Sequence, residues 1–166
     1  MAVLRCERAD GSVTWQRQTG PRAAFFPLHD LTHYAAETVL GIADGFFGLL
    51  ASGWDIEDTT GKGRRGPLPP AAILVEHLVG LLDLERATGT EWAAQEFCAQ
   101  LRAAGVAMSP AIQDALTDRA LAQIRSTRRD LFARWAATGP GDRMELVFPG
   151  GASAGVDLAP SRSTYG

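Results

Sequence analysis

Cysteine is scarce in this chain. Two among 166 residues, Cys6 and Cys98, make no disulfide framework. Free thiols in a reducing cytoplasm are the simpler reading. A basic excess is also missing. The formal charge of −3 argues against a mainly electrostatic nucleic-acid binder. No uninterrupted apolar run reaches membrane-spanning length. The longest apolar region, Leu31 to Trp54, contains His33, Glu37, Asp44 and four glycines, whereas a span needs about 20 mostly uncharged residues. No secretory signal is visible, because MAVLRCERADG becomes charged before an apolar segment forms. A cytoplasmic location is expected. No solenoid repeat occurs. Ser12, Ser52 and Ser109 lack the Gly-x-Ser-x-Gly elbow of α/β-hydrolases. Thr60-Gly61-Lys62-Gly63 fails as a phosphate loop, since Ile56 stands where the leading glycine is needed.

What is present suffices for a core: 46% of residues are apolar. A single α+β domain over residues 1–149 is expected, with residues 150–166 a disordered tail. Val3 to Arg8 and Ser12 to Gln18 flank Asp10-Gly11, the signal of a two-residue hairpin. Pro27 suits a first helical turn, and a helix is predicted from Leu28 to Leu40, ended by Gly41. Asp44 can cap a short helix, Gly45 to Ser52, and Gly41, Gly45 and Gly48 permit close packing of these two segments. Asp55 to Pro70 is polar and rich in Gly and Pro, and reads as a mobile loop. Further helices are predicted from Pro70 to Thr88, from Glu91 to Ala104, and from Pro110 to Ala137 with a break at Thr117-Asp118. Arg143 to Phe148 alternates into a strand, expected to join the hairpin in a three-stranded antiparallel sheet.

Two of the three histidines and two carboxylates, Asp30 and Glu37, fall within the nine residues from His29 to Glu37. Four residues along a helix leave a rotation of only about 40°, so His29, His33 and Glu37 form one stripe beside Asp30. Imidazoles four apart on a helix are a common way to offer two ligands to zinc, iron or manganese. All three stripe residues cannot reach one ion undistorted, because about 12 Å of rise separates the ends. Glu37 is read as a fourth ligand or a base for a bound water, or else as the acceptor that fixes the His33 ring. The plain alternative is a solvated polar face opposite Leu28, Leu31, Ala35 and Val39.

His77 lies in an arc with Ile73, Leu74, Leu81 and Leu84 on the later helix. A buried imidazole there needs a partner, and convergence on the first helix would complete a three-histidine site of His29, His33 and His77. Glu37 and Asp30 are then the candidate catalytic carboxylates. The alternative is a binding or regulatory module in which these groups form a structural network. Substrate, oligomeric state and the identity of a small-molecule or protein partner are not legible. Lys62, Arg64 and Arg65 form a basic loop tip that would draw an anionic ligand toward the site, or simply face solvent. Arg125, Arg128 and Arg129 read as a solvated face.

The segment FFPLHDLTHYAAETVLGIADGFFGLLASG resembles a small bacterial family of uncharacterised proteins with a His-Asp-Leu-x-His-x-x-x-Glu pattern followed by Gly-Phe-Phe/Trp-Gly. The resemblance implies that His29, Asp30, His33 and Glu37 belong to one motif, and it carries no activity. His29-Asp30 also resembles the doublet of HD-type metal phosphohydrolases, but no histidine precedes His29. The pair of histidines with a distant third is similar in kind to DinB-like bundles, though the chain order is reversed and the terminal strands do not fit.

Overall fold

The computed structural model describes residues 1–61 and 63–149 with their side chains, and the backbone of 154–160. The fold is α+β and mainly helical. Strands β1 (Ala2–Glu7) and β2 (Val13–Gln18) form the hairpin. Helices α1 (Arg22–Leu40), α2 (Phe46–Ala51), α3 (Pro70–Thr88), α4 (Ala94–Ala103), α5 (Pro110–Ala115) and α6 (Asp118–Ala137) follow, and strands β3 (Met144–Phe148) and β4 (Ala154–Pro160) close the chain. Among the described residues, no helix is long and apolar enough to cross a membrane.

The sheet has four antiparallel strands in the order β2-β1-β4-β3, rather than three. Residues 154–160, expected to belong to a disordered tail, form the strand between β1 and β3. The rest of that tail, residues 150–153 and 161–166, lies outside the described residues. The segment is poor in side chains that signal a strand. It is hydrogen-bonded along both edges, which substitutes for intrinsic propensity. Alternation then puts Leu4 and Cys6 of β1 and Met144, Leu146 and Phe148 of β3 against the helices.

The hairpin turn also differs. Gly11 alone takes positive φ, at 79°, and its N–H reaches the Arg8 carbonyl, closing a four-residue turn. Asp10 instead accepts from the Ser12 N–H at 2.9 Å. Helix α1 starts six residues earlier than predicted, after Pro21, and carries Pro27 inside it. Ala23 to Phe26 have no reason to leave a helix, so the earlier proline takes the starting position. The boundaries of α3 and α6 agree closely, with α3 running Pro70–Thr88 to a left-handed Gly89 and Thr117 capping α6 by accepting from the Ala120 N–H, whereas α4 starts at Ala94, three residues later than predicted.

Helix α1 packs on α3, α6, α2 and the hairpin. The loop after α2 was expected to be mobile. Its first half is fastened to the hairpin instead: buried Arg8 donates to the Leu50, Trp54 and Asp55 oxygens, and the Ile56 N–H donates to Thr14 Oγ1 at 3.0 Å. Arg125 and Arg128 are not a solvated face. Arg125 makes a two-bonded pair with buried Glu85 at 2.6 and 3.2 Å, and Arg128 donates to the Leu82 carbonyl at 2.6 Å. Together they lock α6 onto α3.

Candidate metal centre

Helix α1 buries its polar stripe as well as its apolar one. His33 is 1% exposed, Glu37 0% and Asp30 5%, so the solvated-face alternative does not hold. The reason lies in two partners. Helix α2 covers Glu37, and α3 covers the histidines.

Glu37 is used at both carboxylate oxygens. Oε2 accepts from the N–H groups of Phe47 and Gly48 at 2.9 and 3.2 Å, and Oε1 faces His33 Nδ1 at 3.3 Å. The two N–H groups belong to the first turn of α2, where helical donors have no partner of their own. Glu37 thus caps α2 across space, and the expected cap, Asp44, does not. Only glycine fits beside it: a Cβ at Gly45 would lie 2.5 Å from Glu37 Cδ, and one at Gly48 would collide with the Ala43 carbonyl. The expectation that these glycines permit close packing is met. The structure places Glu37 behind His33 and not on the cavity wall, away from the catalytic position first considered.

Two carboxylates on α3 face the two imidazoles. His29 Nδ1 lies 2.8 Å from Asp83 Oδ2. His33 Nε2 lies 3.5 Å from Glu76 Oε1, and His29 Nε2 lies 4.0 Å from Glu76 Oε2. Pairing 29 with 83 and 33 with 76 means that α1 and α3 run in opposite directions. Each histidine therefore has Nδ1 held by a carboxylate, Glu37 or Asp83, and Nε2 turned toward Glu76. Ligand atoms of His29, His33 and Glu76 all lie within 4.8 Å of one another. The rings meet edge to face with centroids 4.9 Å apart, while Phe25 stacks on His29 and Phe46 leans on His33.

The electrostatics follow from this crowding. Burial works against a charged His33, but the Glu37 and Glu76 carboxylates on either side of it outweigh that and raise it to about 10. Burial raises Asp30 to about 7, against the pull of both histidines. Burial also raises Glu37, opposed by His33 and the two backbone donors. Glu76 and Asp83 pay the same desolvation penalty, yet their histidine partners hold both below the usual carboxylate range.

A cavity of about 330 Å³ opens beside the cluster, lined by His29, Asp30, His33 and Glu76 on one side and Gln16, Thr59 and Thr60 on another. The loop between α2 and α3 flanks the site as expected. Arg64 and Arg65 of its basic tip do not line the cavity. Arg65 donates to the Gly53 carbonyl at 2.6 Å and covers the Trp54 ring, and Lys62 lies outside the described residues.

His77 is corrected most clearly. It is exposed, and it lines a different pocket with Gly80, Leu81 and Gln100. The buried stripe of α3 is Ala72, Leu74, Val75, Leu78, Val79, Leu82 and Glu85, while Ile73 and Leu84 are 43% and 46% exposed. The arc built around His77 is thus out of phase. Sequence reasoning missed Glu76 and Asp83. Their spacing of seven, two turns on one face, was the available signal.

An α+β fold holding two carboxylate-oriented histidines against a third carboxylate defines a candidate divalent-metal centre. No family model, curated protein or solved structure matches the chain.

Proposed function

We propose that this protein is a divalent-metal-dependent enzyme, hydrolytic in type, with zinc, iron or manganese held by His29, His33 and Glu76. One observation carries the reading: both imidazoles are oriented through Nδ1 by a carboxylate, and both Nε2 atoms face the same glutamate. Such carboxylate–histidine pairs are the usual support of a metal-binding imidazole. The 3.5 and 4.0 Å separations from Glu76 are long for hydrogen bonds. They suit ligands that an ion with bonds of about 2.0–2.1 Å would draw to about 3.3 Å. Two histidines and one carboxylate would leave room for further ligands to such an ion.

When bound, the ion would act as a Lewis acid and make a water acidic. Asp30, on the cavity wall, is the group in place to accept the proton. Glu37 and Asp83 are positioning residues. Asp30→Asn should therefore keep the metal while lowering turnover by about 10²–10⁴-fold on whichever member of an ester and amide panel the wild type cleaves. Equal turnover by the variant would remove Asp30 from the reaction.

A second reading has its own support. His33 lies between Glu37 and Glu76, and Glu37 ties α1 to α2. A network that only fastens helices would use these same bonds in a non-catalytic binding or regulatory module. The two readings part on metal content and on the variants discussed below.

A further inference from the structure

Beyond the histidines and their carboxylates, much of the cavity wall is apolar, formed by Phe26, Phe46, Ile56 and Leu68. The polar groups completing it, Gln16, Thr59 and Thr60, are neutral. Among the described residues, no lysine or arginine lines it. The nearest charges are acids. Glu76 stands at the site, Glu37 directly behind His33, and Asp83 behind His29, where Arg86 lies 3.5 Å from it. The two charges of a divalent ion would be matched by Glu76 and Glu37, and Asp83 by Arg86. Among the described residues, no positive charge is then left over for a ligand.

An anion entering this space would lose its water with nothing to replace it, a cost that grows steeply with charge. An uncharged ligand would not meet this penalty and would gain from the apolar wall. At about 330 Å³ the cavity sits at the small end of the range of about 300–1,000 Å³ seen for ligand sites.

Resting on the metal reading above, we propose that this cavity takes a small uncharged molecule with an apolar body, whose lone pair faces the histidine pair, and rejects phosphate. This separates the site from phosphoester chemistry, which the His29-Asp30 doublet and the basic loop tip would otherwise suggest.

The test uses the full chain loaded with Co²⁺, whose visible absorption reports ligand exchange. Three probes are added: imidazole, 4-phenylimidazole and inorganic phosphate. We expect 4-phenylimidazole to shift the bands at a concentration at least about tenfold lower than imidazole, because its ring buries apolar surface. Phosphate should leave the bands unchanged at the concentration where imidazole saturates. Phe26→Ala should keep the cobalt spectrum and narrow the gap between the two imidazoles. Phosphate shifting the bands as readily as imidazole, or a phenyl group conferring no gain, would overturn the proposal. Absence of cobalt bands before any probe is added would instead overturn the metal reading, and this inference with it.

Discussion

Glu76→Ala is expected to weaken zinc or manganese binding by more than about a hundredfold, beyond the 10–100-fold typical of a lost supporting partner. The substitution removes one of three ligands. It should leave the fold intact, because the Glu76 side chain is 45% exposed and, among the described residues, its carboxylate pairs with the two histidines at 3.5 Å or more. Asp83→Ala, which frees His29 Nδ1, should fall within the 10–100-fold range. His77→Ala should change nothing, although His77 is the more obvious ligand by residue type. It is exposed and lines another pocket. Calorimetric titration of chelator-treated protein gives all three affinities. Equal affinity in Glu76→Ala and wild type would take Glu76 out of the site.

The second large effect concerns Glu37, where stability and metal binding should separate. Glu37→Ala leaves the Phe47 and Gly48 N–H groups and the His33 ring without their buried acceptor. At about 1–3 kcal/mol for each of these three unsatisfied buried groups, the loss should be at least about 3 kcal/mol. For a chain of this size, that lowers the melting temperature by roughly 10 °C. Glu37→Gln should behave differently. Its amide oxygen can still accept from the two N–H groups, so most of the stability remains. Its NH₂ then faces His33 Nδ1 and must donate to it. Once the ring gives up one proton, as metal binding requires, the proton it keeps is then held on Nε2, where a metal would bind. Glu37→Gln should therefore melt within a few degrees of wild type yet bind metal about 10–100-fold more weakly. A network that only fastens helices predicts no such separation. Thermal melts paired with metal titrations decide it.

The contrast between α1 and α3 shows what the sequence makes legible. On α1 the motif is dense and its ligands are four apart, so His29, His33, Asp30 and Glu37 could be grouped without knowing any neighbour. Their burial could not, because it depends on α2 and α3 closing over them. On α3 the residues from Ala71 to Leu82 are apolar nearly all round, interrupted by Glu76, His77 and Gly80. Two competing stripes then fit equally well, and centring the arc on a histidine selects the exposed one. Local capping rules place the ends of α3, α5 and α6 well. They misplace the cap of α2, which comes from Glu37, nine residues before Phe46. The strand 154–160 is invisible for a related reason: its stability comes from two flanking strands rather than from its own side chains.

The most direct measurement is the metal content of protein purified without a histidine tag, by inductively coupled plasma mass spectrometry. The metal-centre account predicts close to one zinc, iron or manganese ion per chain, either as isolated or after reconstitution and desalting. Protein that is metal-free as isolated and retains none of the three ions after reconstitution would contradict it.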